Sequence, residues 1–108
     1  MDFKLVKRQI FKAYRNHDDG HNWTWELKDF IQVFSLFYDA YKASIGTDHP
    51  RLTTAAIRKV MIALEDYDPD ETIELIPQYF KADLNCDYCI AHFVSGDIRE
   101  FRLFEITY

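Results

Sequence analysis

Apolar side chains recur every three or four positions between Leu27 and Ile45, within the stretch from Trp23 to Gly46. The stripe consists of Leu27, Phe30, Ile31, Phe34, Tyr38, Tyr41 and Ile45. Such spacing stacks side chains on one face of a helix, and Phe37 widens that face. Glycine is a common residue just after a helix end. We therefore predict one central helix of about six turns, closed by Gly46, as the packing surface for the rest of the chain.

A shorter pattern of the same kind precedes the central helix. Apolar residues at helical spacing predict a first helix from about Asp2 to Arg15, with the aspartate near its positive N-terminal end. The segment HDDGHN then breaks the pattern, with Gly20 as the turn residue. Asn22 or Thr24 would cap the central helix.

Two more helices are predicted after the central one. The third begins at Thr53 or Thr54. The fourth begins with Asp68 as a capping residue and Pro69 at the first helical position. Because proline lacks a backbone donor and clashes with the preceding turn, Pro77 should kink or break that helix.

The C-terminal part gives weaker signals. A short segment over 88–95 would be capped by Asn85 or Asp87 and closed by Gly96. The tail that follows fits either a helical or an alternating pattern. We favour helix to about Phe104 and an extended end.

Composition supports a helical architecture. The chain of 108 residues contains nine Phe, seven Tyr and two Trp, but only three Gly and three Pro. Many large side chains and few turn-forming residues favour helices over a sandwich of many strands. We therefore predict an all-α fold: a single domain, 1–108, in which a compact bundle of about five helices surrounds one long central helix.

The charge is unevenly distributed along the chain. The formal net charge is −5, with five bases and one acid in residues 1–15 but three bases and eleven acids in residues 65–108. An acidic chain argues against coating of nucleic acid over the whole surface, although one basic helix can still contact phosphate. We find no membrane-length apolar run and no signal-peptide pattern, and two cysteines are too few for a disulfide framework. The expected location is cytoplasmic.

The first helix carries the clearest binding pattern. Lys4, Arg8, Lys12 and Arg15 recur at helical spacing on one side. Such a stripe can contact phosphates or an acidic protein surface. It can also be simply the solvated face of a helix packed on its other side, and the sequence favours that interpretation.

A second candidate surface is acidic and aromatic. Asp66, Asp70 and Glu74 lie in the acidic region over 65–74, which can bind a protein partner. Trp23 and Trp25 point to nearly opposite sides of one helical turn. They fit either a protein contact or packing against the first helix, and packing is the simpler interpretation.

The spacing Cys86-x-x-Cys89, with His92 three residues later, can form one edge of a tetrahedral zinc site. Zinc sites normally use two matched pairs, and the second pair here is only His17 and His21, far away in sequence. The alternative, which we favour, is that Cys89 packs in the core and Cys86 lies at a helix start.

The sequence contains no recognisable motif for calcium binding, phosphate binding or nucleophilic catalysis. The acids near 66–70 do not continue into a calcium loop, three isolated glycines cannot form a phosphate loop, and no serine lies in a recognised nucleophile turn. We therefore expect a non-enzymatic protein that requires no cofactor. The aromatic excess in so small a chain is compatible with a homodimer.

Residues 37–105 resemble a known group of proteins. The stretches FYDAYKASIGTDHPRLTTAAIRKVMIAL and DYCIAHFVSGDIREFRLFE are similar to small proteins and replication-protein tails encoded by bacteriophages and prophages of Gram-positive bacteria. The matching positions read as structural ones and are His49, Pro50, Leu52, His92, Phe93, Ser95, Gly96, Ile98 and Arg102. The pattern has no cysteine at the position of Cys89, which weakens the zinc interpretation.

What the resemblance implies is a phage or mobile-element protein that assists DNA replication. Combined with the missing catalytic residues, it predicts an interaction module that binds a protein of the replication or host machinery. The alternative is a nucleic-acid-binding accessory protein that uses the basic first helix.

Overall fold

The computed structural model describes residues 3–15, 21–82 and 86–102. Five α-helices follow one another, and a 3-10 turn ends the described chain; no strand occurs within these ranges. The elements are α1 (Phe3–Arg15), α2 (Leu27–Ile45), α3 (Thr54–Leu64), α4 (Pro69–Lys81), α5 (Ile90–Phe93) and the 3-10 turn Ile98–Phe101. The predicted all-α fold is confirmed.

The central helix is continuous but begins at Leu27, two residues after the start predicted with Thr24 as cap and four after that with Asn22. Its start is fixed by Glu26, whose backbone N–H donates to the Asp29 carboxylate at 3.1 Å, so neither Asn22 nor Thr24 is the cap. The two tryptophans before it are therefore outside the helix. At the other end Gly46 has a φ of 93°, a left-handed conformation that glycine adopts without a Cβ clash.

The third and fourth helices start where predicted, but their first turns differ. The hydroxyl of Thr53 accepts the backbone N–H of Ala56 at 3.1 Å, which caps α3. Asp68 precedes α4 without a side-chain cap hydrogen bond, so its predicted capping interaction is wrong. The helix also continues through Pro77, so the break that we predicted as one alternative to a kink does not occur. Burial of Ile76 and Tyr79 in the same helix offsets the backbone hydrogen bond that proline removes.

The C-terminal part is more irregular than predicted. The segment expected over 88–95 is helical only from Ile90 to Phe93, and Cys89 precedes it in extended geometry. In the 3-10 turn, the Asp97 carboxylate accepts the backbone N–H of Arg99 at 3.0 Å. The expectations for Gly20, Asn85 and the tail around Phe104 concern residues outside the described ranges.

The helices pack as two pairs joined through α1 and α2. α2 lies against α4, and α3 lies against α1 rather than against the central helix. One hydrophobic cluster spans them, and its largest fully buried members are Phe30, Phe34, Phe37, Tyr79 and Phe93. The central helix is thus a shared packing surface for α1 and α4, while α3 depends mainly on α1.

His49 connects two distant parts of the chain inside this core. It is only 2% exposed, and its ring stacks on Tyr38 with centroids 4.2 Å apart and planes 10° apart. Nε2 accepts the backbone N–H of Ile90 at 3.0 Å, and Nδ1 lies 2.8 Å from the Pro50 carbonyl oxygen. Both contacts are satisfied only by the neutral ring with its proton on Nδ1. Burial lowers the pKa of His49, in agreement with this assignment.

Candidate functional site

The most pronounced surface feature is the basic side formed by α1 and α3. Residues 3–15 and 49–64 contain eight of the thirteen bases in the chain and no acidic residue. These are Lys4, Lys7, Arg8, Lys12, Arg15, Arg51, Arg58 and Lys59. Seven of the eight are exposed and Arg58 is half-buried. Since α1 packs against α3, two segments that are 40 residues apart combine into one positively charged region, which we call the basic face.

Specific contacts fix the two helices against each other. The Gln9 side-chain amide donates to the Leu52 carbonyl oxygen at 2.8 Å, which attaches the middle of α1 to the approach to α3. Farther along, the guanidinium of Arg58 lies 5.7 Å from the Trp23 ring centre, and Trp23 stacks on Tyr14 of α1. These contacts therefore fix the positions of α1 and α3 relative to each other, and with them the backbone from which the basic side chains extend.

The predicted stripe on α1 is present and points outward. Lys4, Arg8, Lys12 and Arg15 are all exposed, while the buried residues of the helix, such as Val6 and Ile10, lie on the other side. The stripe extends over about 16 Å, at 1.5 Å per residue. Sequence reasoning found this half of the basic face. It missed the α3 half, since the acid-free run over 49–64 is visible in the sequence but its contact with α1 is not.

The two tryptophans pack inward. The indole N–H of Trp25 donates to the Tyr67 carbonyl oxygen at 2.9 Å, and the residue is only 5% exposed. The indole N–H of Trp23 donates to the Tyr14 carbonyl oxygen at 2.9 Å, and its ring stacks on Tyr14 with centroids 5.6 Å apart. These contacts correspond to the packing interpretation and leave Trp25 little surface to offer a partner.

The acidic surface is partly neutralised by arginines from the C-terminal part. Arg102 contacts the carboxylates of Glu71 and Glu74, each at 3.2 Å, and its side chain is only 16% exposed. Arg99 also contacts Glu71, at 3.1 Å. All three acids predicted to bind a protein, Asp66, Asp70 and Glu74, are exposed. Glu74 also forms an ion pair with Arg102 of the same chain.

The cysteines and His92 gather around a buried phenol rather than around a shared metal position. The Tyr79 hydroxyl lies 2.9 Å from Nδ1 of His92 and 3.8 Å from Sγ of Cys86. The same hydroxyl lies 3.4 Å from the backbone carbonyl oxygen of Cys89, to which it can donate a hydrogen bond. Burial raises the pKa of Tyr79, so the hydroxyl keeps its proton and remains a donor. Over the three described ranges, no group of three or more potential ligands could hold a metal ion.

Glu65 holds the segment before α2 in place. Its carboxylate accepts both the backbone N–H and the hydroxyl of Thr24, the latter at 2.8 Å, and contacts Nε2 of His21 at 2.6 Å. Burial alone would raise the pKa of this carboxyl group, but the Thr24 hydrogen bonds and His21 outweigh that effect and lower it. Glu65, the first acid after α3, is therefore bound to this loop.

Comparison with known proteins adds no assignment: no family model, no curated protein and no solved structure matches the chain. Among the helices in the part of the chain that the structure describes, none is both long enough and apolar enough to cross a membrane. The protein is thus an all-α protein in which the two helix pairs differ in charge. The α1–α3 pair contains bases and no acid, whereas the α2–α4 pair contains more acids than bases.

Proposed function

We propose that this protein is a non-enzymatic interaction module that binds the phosphate backbone of a nucleic acid through the basic face. The observation that carries the proposal is the pairing of α1 with α3, which brings together two segments that contain eight bases and no acid, in a chain whose net charge is −5. If the α1 stripe were only a solvated surface, there would be no reason for the helix packed next to it to carry bases and no acid as well.

The arrangement of the cations suits a polymer of regularly spaced charge. The α1 stripe presents side chains about 6 Å apart along the helix axis, and two more exposed bases come from Lys59 of α3 and from Arg51, shortly before that helix. Duplex DNA carries a phosphate every 3.4 Å along each strand, so the stripe spans about five base pairs. Because these contacts involve phosphates and not base edges, we expect little sequence preference.

The resemblance proposed for residues 37–105 begins after α1, so the binding role of the α1 stripe rests on the basic face and not on that resemblance. As a replication accessory, the protein would be retained on DNA through this face. The negative remainder of the molecule would limit the contact to one side, since it is repelled by the same phosphates.

A protein partner at the acidic surface remains the second candidate. Asp66 and Asp70 are exposed; Asp66 lies in the turn between α3 and α4, and Asp70 lies in the first turn of α4. The ion pairs of Glu71 and Glu74 with arginines of the chain reduce the charge that this surface can offer, which is why we place it second.

Salt-dependent binding provides the test. Fluorescence anisotropy of a labelled duplex and of a labelled single strand would be measured from about 50 to about 200 mM salt. If about four phosphates are contacted, the logarithm of the binding constant should fall against the logarithm of salt concentration with a slope near −3.6 for the duplex. The double variant Arg8→Gln/Lys12→Gln should reduce that slope by about two and weaken binding.

A matched control changes the same net charge elsewhere. Lys28→Gln/Lys81→Gln removes two exposed lysines from α2 and α4 and should leave both the affinity and the slope unchanged. Absence of binding at the lowest salt concentration, or an equal loss in the control variant, would overturn the proposal.

A further inference from the structure

A groove lies between α1 and α2, and its lining contains no residue of α3. Its volume is about 450 Å³, and Phe3, Ile31 and Leu36 supply its apolar lining. Leu36 is 39% exposed, and Ile45 is the only other large hydrophobic residue in the described ranges with comparable exposure. The groove is therefore one of the few places where the fold leaves apolar surface in contact with water.

The groove offers a packing position for one additional helix. On α2 its lining residues follow one another at three- and four-residue spacing, from Lys28 through Ile31 and Ser35. That spacing corresponds to one face of the helix, about 12 Å long between Lys28 and Leu36. The Phe3 ring of α1 forms the opposite wall and is held edge-on against Tyr38, with centroids 6.1 Å apart and planes 82° apart.

The charges around the groove select the kind of partner. Lys7 from α1 and Lys28 from α2 line it, and among the residues that the structure describes no acidic side chain does. Lys28 also contacts Glu26 at 3.3 Å, but both side chains are more than 70% exposed, so this pair is weak and can be exchanged. An apolar lining with two lysines fits an apolar segment that carries carboxylates.

We propose that the groove binds an amphipathic helix of a partner protein, with apolar side chains at three- and four-residue spacing and acidic residues flanking them. This is the helix-in-groove mode, in which apolar anchors fill the lining and rim charges set orientation. A second copy of this chain is a poorer occupant, since a two-fold contact through the same groove would oppose lysine to lysine. The proposal does not depend on nucleic-acid binding: Lys7 belongs to both surfaces, but the apolar lining and Lys28 lie outside the basic face.

Two synthetic peptides would serve as probes. Both are helical and carry the same leucine stripe, but one has glutamate and the other lysine at the polar positions. Titration into the isotope-labelled protein, followed by amide chemical shifts, should give at least tenfold tighter binding of the glutamate peptide. The largest shift changes should fall on Phe3, Ile31, Ser35 and Leu36.

Variants distinguish the groove from other surfaces. Leu36→Ser should weaken the glutamate peptide by tenfold or more, whereas Ile45→Ser, the matched exposed control, should not. The variant Lys7→Glu/Lys28→Glu should reverse the preference and bind the lysine peptide.

Three outcomes would overturn the proposal. They are equal binding of both peptides, shift changes centred on α3 or α4, and no shift change at millimolar peptide. Self-association that is abolished by Leu36→Ser, with no peptide binding, would instead assign the groove to a second copy. Loss of nucleic-acid binding in Arg8→Gln/Lys12→Gln with unchanged peptide binding would separate this groove from the basic face.

Discussion

The buried ring of His49 permits a sharp test of the core. It stacks on Tyr38, lies edge-on to Tyr41 at 4.9 Å, and accepts the backbone N–H of Ile90. Two replacements separate these contributions. His49→Ala removes the ring and the acceptor, whereas His49→Gln keeps an acceptor of similar reach but cannot take up a proton near neutral pH.

The expected magnitudes follow from the contacts. Leaving the N–H of Ile90 buried without a partner costs about 1–3 kcal/mol. Loss of the aromatic contacts costs a further ~0.5–1.5 kcal/mol, before any term for the cavity. His49→Ala should therefore destabilise the fold by about 3–5 kcal/mol, a large part of the ~5–15 kcal/mol typical of a small domain. His49→Gln should cost less, about 1–2 kcal/mol, because the hydrogen bond to Ile90 can be kept.

The pH dependence carries the more specific prediction. Burial lowers the pKa of His49 in the folded state, so below about pH 6.5 the unfolded chain binds a proton that the folded chain does not. The stabilisation by neutral His49 is thus complete above that pH and is lost as the pH falls. The loss proceeds at up to about 1.4 kcal/mol per pH unit until the pH reaches the folded-state pKa. Between pH 7 and pH 5 the wild-type protein should lose up to about 2 kcal/mol relative to His49→Gln.

Urea unfolding followed by tryptophan fluorescence measures this difference directly, since Trp23 and Trp25 both lie in the folded core region. The other three histidines are present in both proteins, so their contributions cancel in the comparison. Equal pH dependence in the wild type and His49→Gln would show that His49 is not held neutral by its two hydrogen bonds, and the assigned tautomer would be wrong.

Two further predictions concern single hydrogen-bonded groups. Thr53→Ala removes the cap of α3 and should cost about 1 kcal/mol in urea unfolding, whereas Thr53→Ser should cost little; equal losses would show that the cap hydroxyl is unimportant. Glu65 has a lowered pKa in the folded protein, so the stability it provides is present above about pH 4.5 and lost as the pH falls through its folded-state pKa. Glu65→Gln should flatten the acid limb of the stability curve below about pH 4.5, and an unchanged limb would contradict the role assigned to this carboxylate.

Much of the fold could be read from local sequence signals. The apolar periodicity of α2, the glycine at its end and the threonine before α3 each act within a few residues, so their consequences are visible in the chain. Pro77 shows the limit of such reasoning. Local rules predict a kink or a break at this proline, but they do not include the burial of Ile76 and Tyr79, which stabilises the helix.

The candidate site was only half predictable, because it depends on which helices are neighbours. The α1 stripe is a local pattern, but its continuation on α3 exists only through the packing of two segments separated by the whole of α2. The same is true of the acidic surface, where Arg102 reaches Glu71 from 31 positions away and changes the charge that a partner would meet. Contacts of this range carry no periodic signature.

The central claim is that α1 and α3 form one surface for phosphate. Amide chemical-shift mapping of the isotope-labelled protein with an unlabelled duplex oligonucleotide, at low salt, tests it most directly. We predict that the largest changes fall together on residues 4–15 and 51–59, and that they disappear as salt is raised. Changes on only one of the two helices, changes centred on 65–74, or no changes at low salt would contradict the account.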